Sequence, residues 1–166
     1  MLVTVKLNDV VEALDTAMEE HNYYFDKRTG EIVLLTSEDM EAAEEDELIS
    51  EYPDWQRESI LKAREVLSDF EEFSKLPDKF DVHEYQIMED FCLAFQDRDV
   101  SEDLLRQIKG RGAFGRFKNA IYSMGIEKSW YEFKKAALEE IAIEWLEEQK
   151  IPYSRGDAID ASSASM

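Results

Sequence analysis

Apolar residues recur every three or four positions from Leu7 to Met18, so that Leu7, Val10, Val11, Leu14 and Met18 share one side of a helix. The period then changes. Tyr23 to Phe25 and Ile32 to Leu35 are short runs of strand formers. Between them, DKRTG carries turn chemistry, with Gly30 suited to positive φ. This predicts an antiparallel β-hairpin, which is marginal alone and must pack on helices. Residues 37 to 47 hold seven acids in eleven positions and predict a short solvated helix or a loose linker. Beyond Pro53, Asp54 is placed to cap a helix that buries Ile60, Ala63, Leu67 and Phe70. Pro77 interrupts that pattern. Asp81 with Glu84 then resembles a capping box, ahead of the stripe Met88, Phe91, Cys92 and Phe95.

The second half is more regularly punctuated. Ser101 is the expected cap of SEDLLRQIK, whose acids come first and bases last, as the helix dipole prefers. Gly110 ends that helix. Residues 113 to 124 predict another, with Phe114, Phe117, Ile121 and Tyr122 inward and Gly125 at its end. Ser129 and Glu132 have capping-box spacing before a final helix to about Lys150, burying Phe133, Ala137, Leu138, Ile141 and Trp145. The sum is an α+β fold, mostly α, with about six helices and one antiparallel hairpin near the N-terminus. Residues 1–50 are expected to form an N-terminal subdomain of helix, hairpin and acidic helix. Residues 51–151 are expected to form a helical unit, and the small polar tail 152–166 to be disordered. The acidic stretch from 37 to 51 is the expected hinge.

Composition narrows the class. The chain has 166 residues and is 44% hydrophobic, enough for a proper core. No apolar run approaches the ~18 residues of a membrane span, and the start lacks the basic region and cleavage site of a signal peptide. One cysteine and two histidines leave no internal disulfide framework and no structural zinc site. These features point to a cytoplasmic protein with no membrane partner and no cofactor.

Charge changes the picture most. Against 39 acids stand 19 bases, a formal net of -20, which disfavours general adhesion to nucleic acid or anionic membrane. The distribution is uneven. From Leu104 to Ile126 there is no acid, yet Arg106, Lys109, Arg111, Arg116 and Lys118 all lie there.

Within this basic island, GRGAFGRFK matches the glycine spacing of a dinucleotide-binding loop through Gly110, Gly112 and Gly115. That fingerprint needs a preceding strand inside a βαβ unit, whereas the preceding segment here is helical. A P-loop is excluded because G-K-[ST] is absent. What remains is a tight connection between helices. The N–H groups starting the second helix, with Lys109, Gly110, Arg111, Gly112, Arg116 and Lys118 around them, make a candidate ligand or anion site. The competing reading pairs these bases with the chain's own carboxylates.

Other chemistry falls away. His83-Glu84 begins like a zincin motif, but Ile87 stands where the second histidine is needed. His83 reads as a helix-start residue and His21 as a helix-end residue. Cys92 lies in an apolar stripe and reads as a buried thiol. DRDVSEDL lacks the glycine and the final glutamate of an EF-hand loop. Trp130, Phe133 and Trp145 fall at helical spacing and read as core, while Tyr52 and Trp55 flank Pro53 and mark a potential contact surface. No catalytic constellation stands out, although acid–base sites built from Asp, Glu and Tyr leave no distinctive spacing.

The segments YQIMEDFCLAF, LLRQIKGRGAFGRFKNAI and WYEFKKAALEEIAIEWLEE, with LNDVVEALD and YYFDKRTGEIVLL upstream, resemble bacterial uncharacterised protein family 0158 of the UPF series over about residues 7 to 151. The resemblance places Gly110, Arg111, Gly112, Phe114, Arg116, Phe117 and Lys118 on a family motif. A basic residue often stands in that pattern where this chain has Gly115, so Arg116 carries more of the local charge here. It implies a bacterial cytosolic protein and carries over no catalytic residues. The expected function is a non-enzymatic interaction or regulatory protein with a protein partner. Two alternatives stay open: a phosphate- or nucleic-acid-binding module at residues 109–118, and an acidic mimic of nucleic acid.

Overall fold

The computed structural model describes residues 3–155 except 17, 19, 46 and 47. The fold is mostly helical α+β. Strand β1 (Val5–Lys6) leads directly into α1 (Leu7–Asp15), which buries Leu7, Val10, Val11, Ala13 and Leu14. The helix stops before Met18, which is exposed. His21 therefore lies not at a helix end but in a strand. Strand β2 (His21–Asp26) pairs antiparallel with β3 (Ile32–Thr36), and Gly30 closes the turn at φ +83°.

The acidic segment forms helix α2 (Ser37–Glu45), with Ala42 and Ala43 buried. Helix α3 (Asp54–Ser68) starts one residue earlier than expected: Pro53 occupies the N-cap, and Asp54, inside the helix, pairs with Arg57 at 2.8 Å. Ile60 and Ala63 are buried as expected, but Leu67 and Phe70 are exposed, and Gln56 and Val66 take their place. A short strand β4 (Phe73–Lys75) then joins β2 from the other side, giving the order β3-β2-β4. Val33, Leu35, Ala43, Ala63, Val66 and Phe73 form a small cluster under this sheet.

Arg28 ties the hairpin turn to α3. Its guanidinium reaches Asp26 (3.1 Å), Glu65 (2.6 Å) and Asp69 (3.4 Å) and lies 5.1 Å over the Phe73 ring. Asp26 is only 2% exposed. Burial alone would raise its carboxyl, but the hydrogen bonds and charge of Arg28 outweigh that and hold it below the usual carboxylate range. The Arg28 hydrogen bond, then Lys62, lowers Glu65 in the same direction. A carboxyl depressed in the folded state contributes stability above its unfolded pKa of about 4, which is lost as pH falls through the lower folded pKa. Melting of the native protein therefore drops as pH is lowered into this acid range. Asp26→Asn removes one contributor, and its melting temperature falls less over the same range. Parallel melting curves for the two proteins across acid pH would refute this.

Helix α4 (Lys79–Val82) is a single turn capped reciprocally by Asp78 and Asp81, each side chain bonding the other's N–H at 3.0 Å. The capping box is thus Asp78 with Asp81, not Asp81 with Glu84. His83 turns the chain at φ +54° into α5 (Glu84–Leu93), which buries Ile87, Met88, Phe91 and Cys92. Helix α6 (Arg98–Gln107) starts three residues ahead of the expected Ser101. Asp97 caps it by accepting from the N–H groups of Asp99 and Val100, and Ser101 is buried inside it. Helix α7 (Ala113–Met124) ends at Gly125 as expected. Its inward face is Phe117 and Ile121, whereas Phe114 and Tyr122 are exposed.

Helix α8 (Glu127–Gln149) begins before the expected box, with Ile126 at its N-cap and Ser129 and Glu132 inside it. It buries Trp130, Leu138, Ala142, Trp145 and Leu146, with Phe133, Ala137 and Ile141 half-buried. Trp145 donates its indole N–H to the Lys75 carbonyl at 3.0 Å, which fastens α8 to β4. The tail is ordered at its start: β5 (Tyr153–Ser154) pairs parallel with β1, and Val5 N–H donates to Pro152 O at 3.0 Å. The rest of the expected disordered tail, residues 156–166, lies outside the described residues. The main core unites α1, α5, α6, α7 and α8 around Phe91, Phe117 and Trp130.

Candidate functional site

The acid-free segment runs from within α6, through the turn Ile108–Gly112, to the end of α7. Two glycines shape that turn: Gly110 has φ +78° and Gly112 φ +73°. A Cβ on Gly112 would also stand 3.1 Å from Arg116 Nη1. Gly115 differs. It sits inside α7 with ordinary helical backbone and open space around it. The three glycines of the apparent fingerprint therefore do not act together. With helix α6 in front of them in place of a strand, the dinucleotide reading fails in the structure as well. Gly112→Ala is expected to lose about 1–2 kcal/mol, since left-handed backbone crowds a Cβ. Gly115→Ala is expected to gain about 0.5–1 kcal/mol by removing a flexible residue from a helix interior. Urea midpoints measure both; equal losses at the two positions would show that Gly115 has a hidden backbone role.

Arg116 is the organiser of the turn. From the first turn of α7 it reaches back and donates to the carbonyls of Gln107 (Nε, 2.8 Å), Arg111 (Nη1, 2.5 Å) and Lys109 (Nη2). Tyr85 on α5 donates its hydroxyl to the Ile108 carbonyl at 2.9 Å. The carbonyls at the end of α6, which have no partners within the helix, are thereby satisfied by side chains. A cation at that end also suits the helix dipole. Arg106 pairs with Asp103 at 3.2 Å. Lys118 lies 5.1 Å over the Phe114 ring. Lys109, Arg111 and Lys118 are exposed, and their side chains form no ion pair among the described residues. The five bases thus divide into two bonded to their own chain, of which Arg106 is itself exposed, and three exposed ones without an ion pair among the described residues. A shallow groove of about 380 Å³ between α6 and α7 is lined by Asp103, Gln107, Arg116, Asn119, Ala120, Ser123 and Met124.

Sequence reasoning missed two participants. Tyr85 could not be connected with a carbonyl 23 positions away. Tyr122, expected inward, lies well around the helical wheel from Phe117, points outward and is 74% exposed. That signal was available in the spacing.

Elsewhere, a cleft of about 290 Å³ between α1 and α8 holds Lys134, which pairs with Asp15 at 3.0 Å and Glu84 at 2.9 Å. Burial alone would lower this ammonium, and the two carboxylates outweigh it, so its pKa lies above the ordinary lysine value. Cys92 is fully buried, and burial, with Glu89 adding, pushes its thiol up to about 11. Such a thiol is a weak nucleophile near neutral pH. His83 serves as the junction between α4 and α5. Trp55 is 76% exposed beside Pro53. Among the described residues, no group of three or more His, Cys, Asp and Glu side chains is placed to hold a metal ion, and no helix is long and apolar enough to cross a membrane.

Among known protein families, the model described as Uncharacterised protein family (UPF0158) matches residues 2–166. No curated protein and no solved structure matches.

Proposed function

The protein belongs to UPF0158, a family described as uncharacterised, and from that premise we propose that it works by binding: an interaction protein whose basic turn and outer α7 face engage an anionic partner. The observation that carries this reading is the division among the five bases. Arg116 builds the turn, and Arg106, though exposed, is paired with Asp103. Lys109, Arg111 and Lys118 are left exposed around the start of α7, in a 23-residue window without an acid. The N-cap Gly112 supplies no side-chain bond, so the first N–H groups of α7 add to the positive end. A chain with 39 acids keeping one stretch free of them is consistent with selection for an anion there, because scattered acids would cancel the field.

The test is a thermal-shift titration with polyphosphate, heparin and polyglutamate, on the native protein and on Arg111→Glu/Lys118→Glu. Saturation at 100 times the dissociation constant stabilises the fold by about 2.7 kcal/mol. Stabilisation of the native protein that disappears in the variant, with the variant's own melting temperature unchanged, supports the reading. A native protein indifferent to all three polyanions overturns it.

A further inference from the structure

We propose that the anion this face takes is B-form duplex DNA, entered through the major groove by α7. The inference rests on the anion-binding reading above and adds the shape of the ligand. Around α7, the outer positions Gly115, Lys118, Asn119, Tyr122 and Ser123 fall at i, i+3, i+4, i+7 and i+8, opposite the buried Phe117 and Ile121. Every side chain in that stripe is a hydrogen-bond donor or has none at all. Lysine and asparagine are side chains suited to the edges of guanine and adenine in the major groove. Gly115 is bare without any need inside the fold. A polynucleotide backbone approaching closely at that point would give its missing side chain a reason.

The mounting fits the same ligand. Helices α6 and α7 are joined by a five-residue turn, and Phe117 anchors α7 against Phe91 of α5 (6.0 Å) and Trp130 of α8 (4.8 Å). A helix anchored behind a short turn, with its outer face exposed, shares these features with the second helix of a helix-turn-helix unit. The 12 residues of α7 span about 18 Å. The B-DNA groove, roughly 12 Å wide, admits such a helix. Lys109 and Arg111 on the turn would lie against the phosphates beside the helix start. Asp103, the acid bordering this face, is held by Arg106. The acidic remainder of the chain is screened beyond about 10 Å at 0.1 M salt.

Shape separates duplex DNA from the other polynucleotides. The major groove of duplex RNA is too deep and narrow for a helix. A single strand is bound by stacking on a series of open aromatic faces, and this stripe carries one, Tyr122.

Fluorescence anisotropy with a labelled random-sequence DNA duplex of about 30 base pairs tests this, against duplex RNA and single-stranded DNA of equal length. Duplex DNA is expected to bind about tenfold or more tighter than either competitor. The three exposed cations without an ion pair give an expected slope of log K on log salt of about -2.7, or about 40-fold between 50 and 200 mM. Arg111→Ala is expected to reduce that slope by about 1, and Asn119→Ala to leave it unchanged while relaxing the sequences selected from the pool. Equal or tighter binding of duplex RNA or single-stranded DNA overturns the inference. So does a response to polyphosphate without one to duplex DNA, which leaves the anion-binding reading standing. Indifference to every polyanion removes both.

Discussion

Phe91→Ala is expected to cost about 3–5 kcal/mol, the range for removing a buried aromatic side chain. Phe91 is 4% exposed and its ring meets four others edge-on: Phe95 (5.1 Å), Phe117 (6.0 Å), Trp130 (5.4 Å) and Phe133 (5.3 Å). Each such pair adds about 0.5–1.5 kcal/mol beyond the area it buries. The ring sits where α5, α7 and α8 meet, so the cavity left by alanine cannot close without moving a whole helix. A domain of this size is stable by about 5–15 kcal/mol, and the variant approaches the margin. Urea unfolding reads the effect as a lower midpoint with the same slope. A loss below about 1 kcal/mol would mean that neighbouring rings refill the space and that Phe91 is not the hub.

Arg116→Ala is expected to cost about 2–3 kcal/mol, within the range for hydrogen bonds to a charged group, because water replaces part of what the exposed turn loses. Three carbonyls of one turn converge on this guanidinium. Arg116→Lys is expected to recover less than half of the loss. An ammonium is a single point of charge and cannot present a planar fork to carbonyls in three directions. Amide exchange at Lys109 to Ala113 is expected to speed up in both variants, since the turn then opens locally. If Arg116→Ala unfolds within about 0.5 kcal/mol of the native protein, the fork is not what holds the turn. The positive backbone angles of Gly110 and Gly112 would then have to suffice.

Much of this fold was legible in spacing alone. The hairpin followed from strand formers on either side of a turn glycine, and the helices from stripes such as Met88, Phe91 and Cys92. Helix starts were less legible. Ser101 and Ser129 have the right residues at the right offsets, yet both lie inside helices that begin earlier. In a chain so rich in acids, a serine followed by Asp or Glu arises by composition, and a cap is made only where the backbone is extended. Asp97 meets that condition and bonds two N–H groups. The two- and three-residue strands β1, β4 and β5 left no alternation to read.

The basic island shows the same division. Its position, its freedom from acids and the failure of the dinucleotide fingerprint followed from the sequence, because each depends on neighbours within a few residues. Which bases face solvent did not. Arg116 and Lys118 are two apart in one helix, yet one turns back to the end of α6 and the other lies out over Phe114. That choice depends on where the carbonyl of Gln107, nine residues earlier, comes to rest after the turn. The pairing of β1 with β5, Val5 opposite Tyr153, joins the two ends of the described chain. Local pattern determines periods, turns and charge. Partners brought together from distant positions are decided by packing, and here packing alone set which cations the folded protein keeps and which it presents.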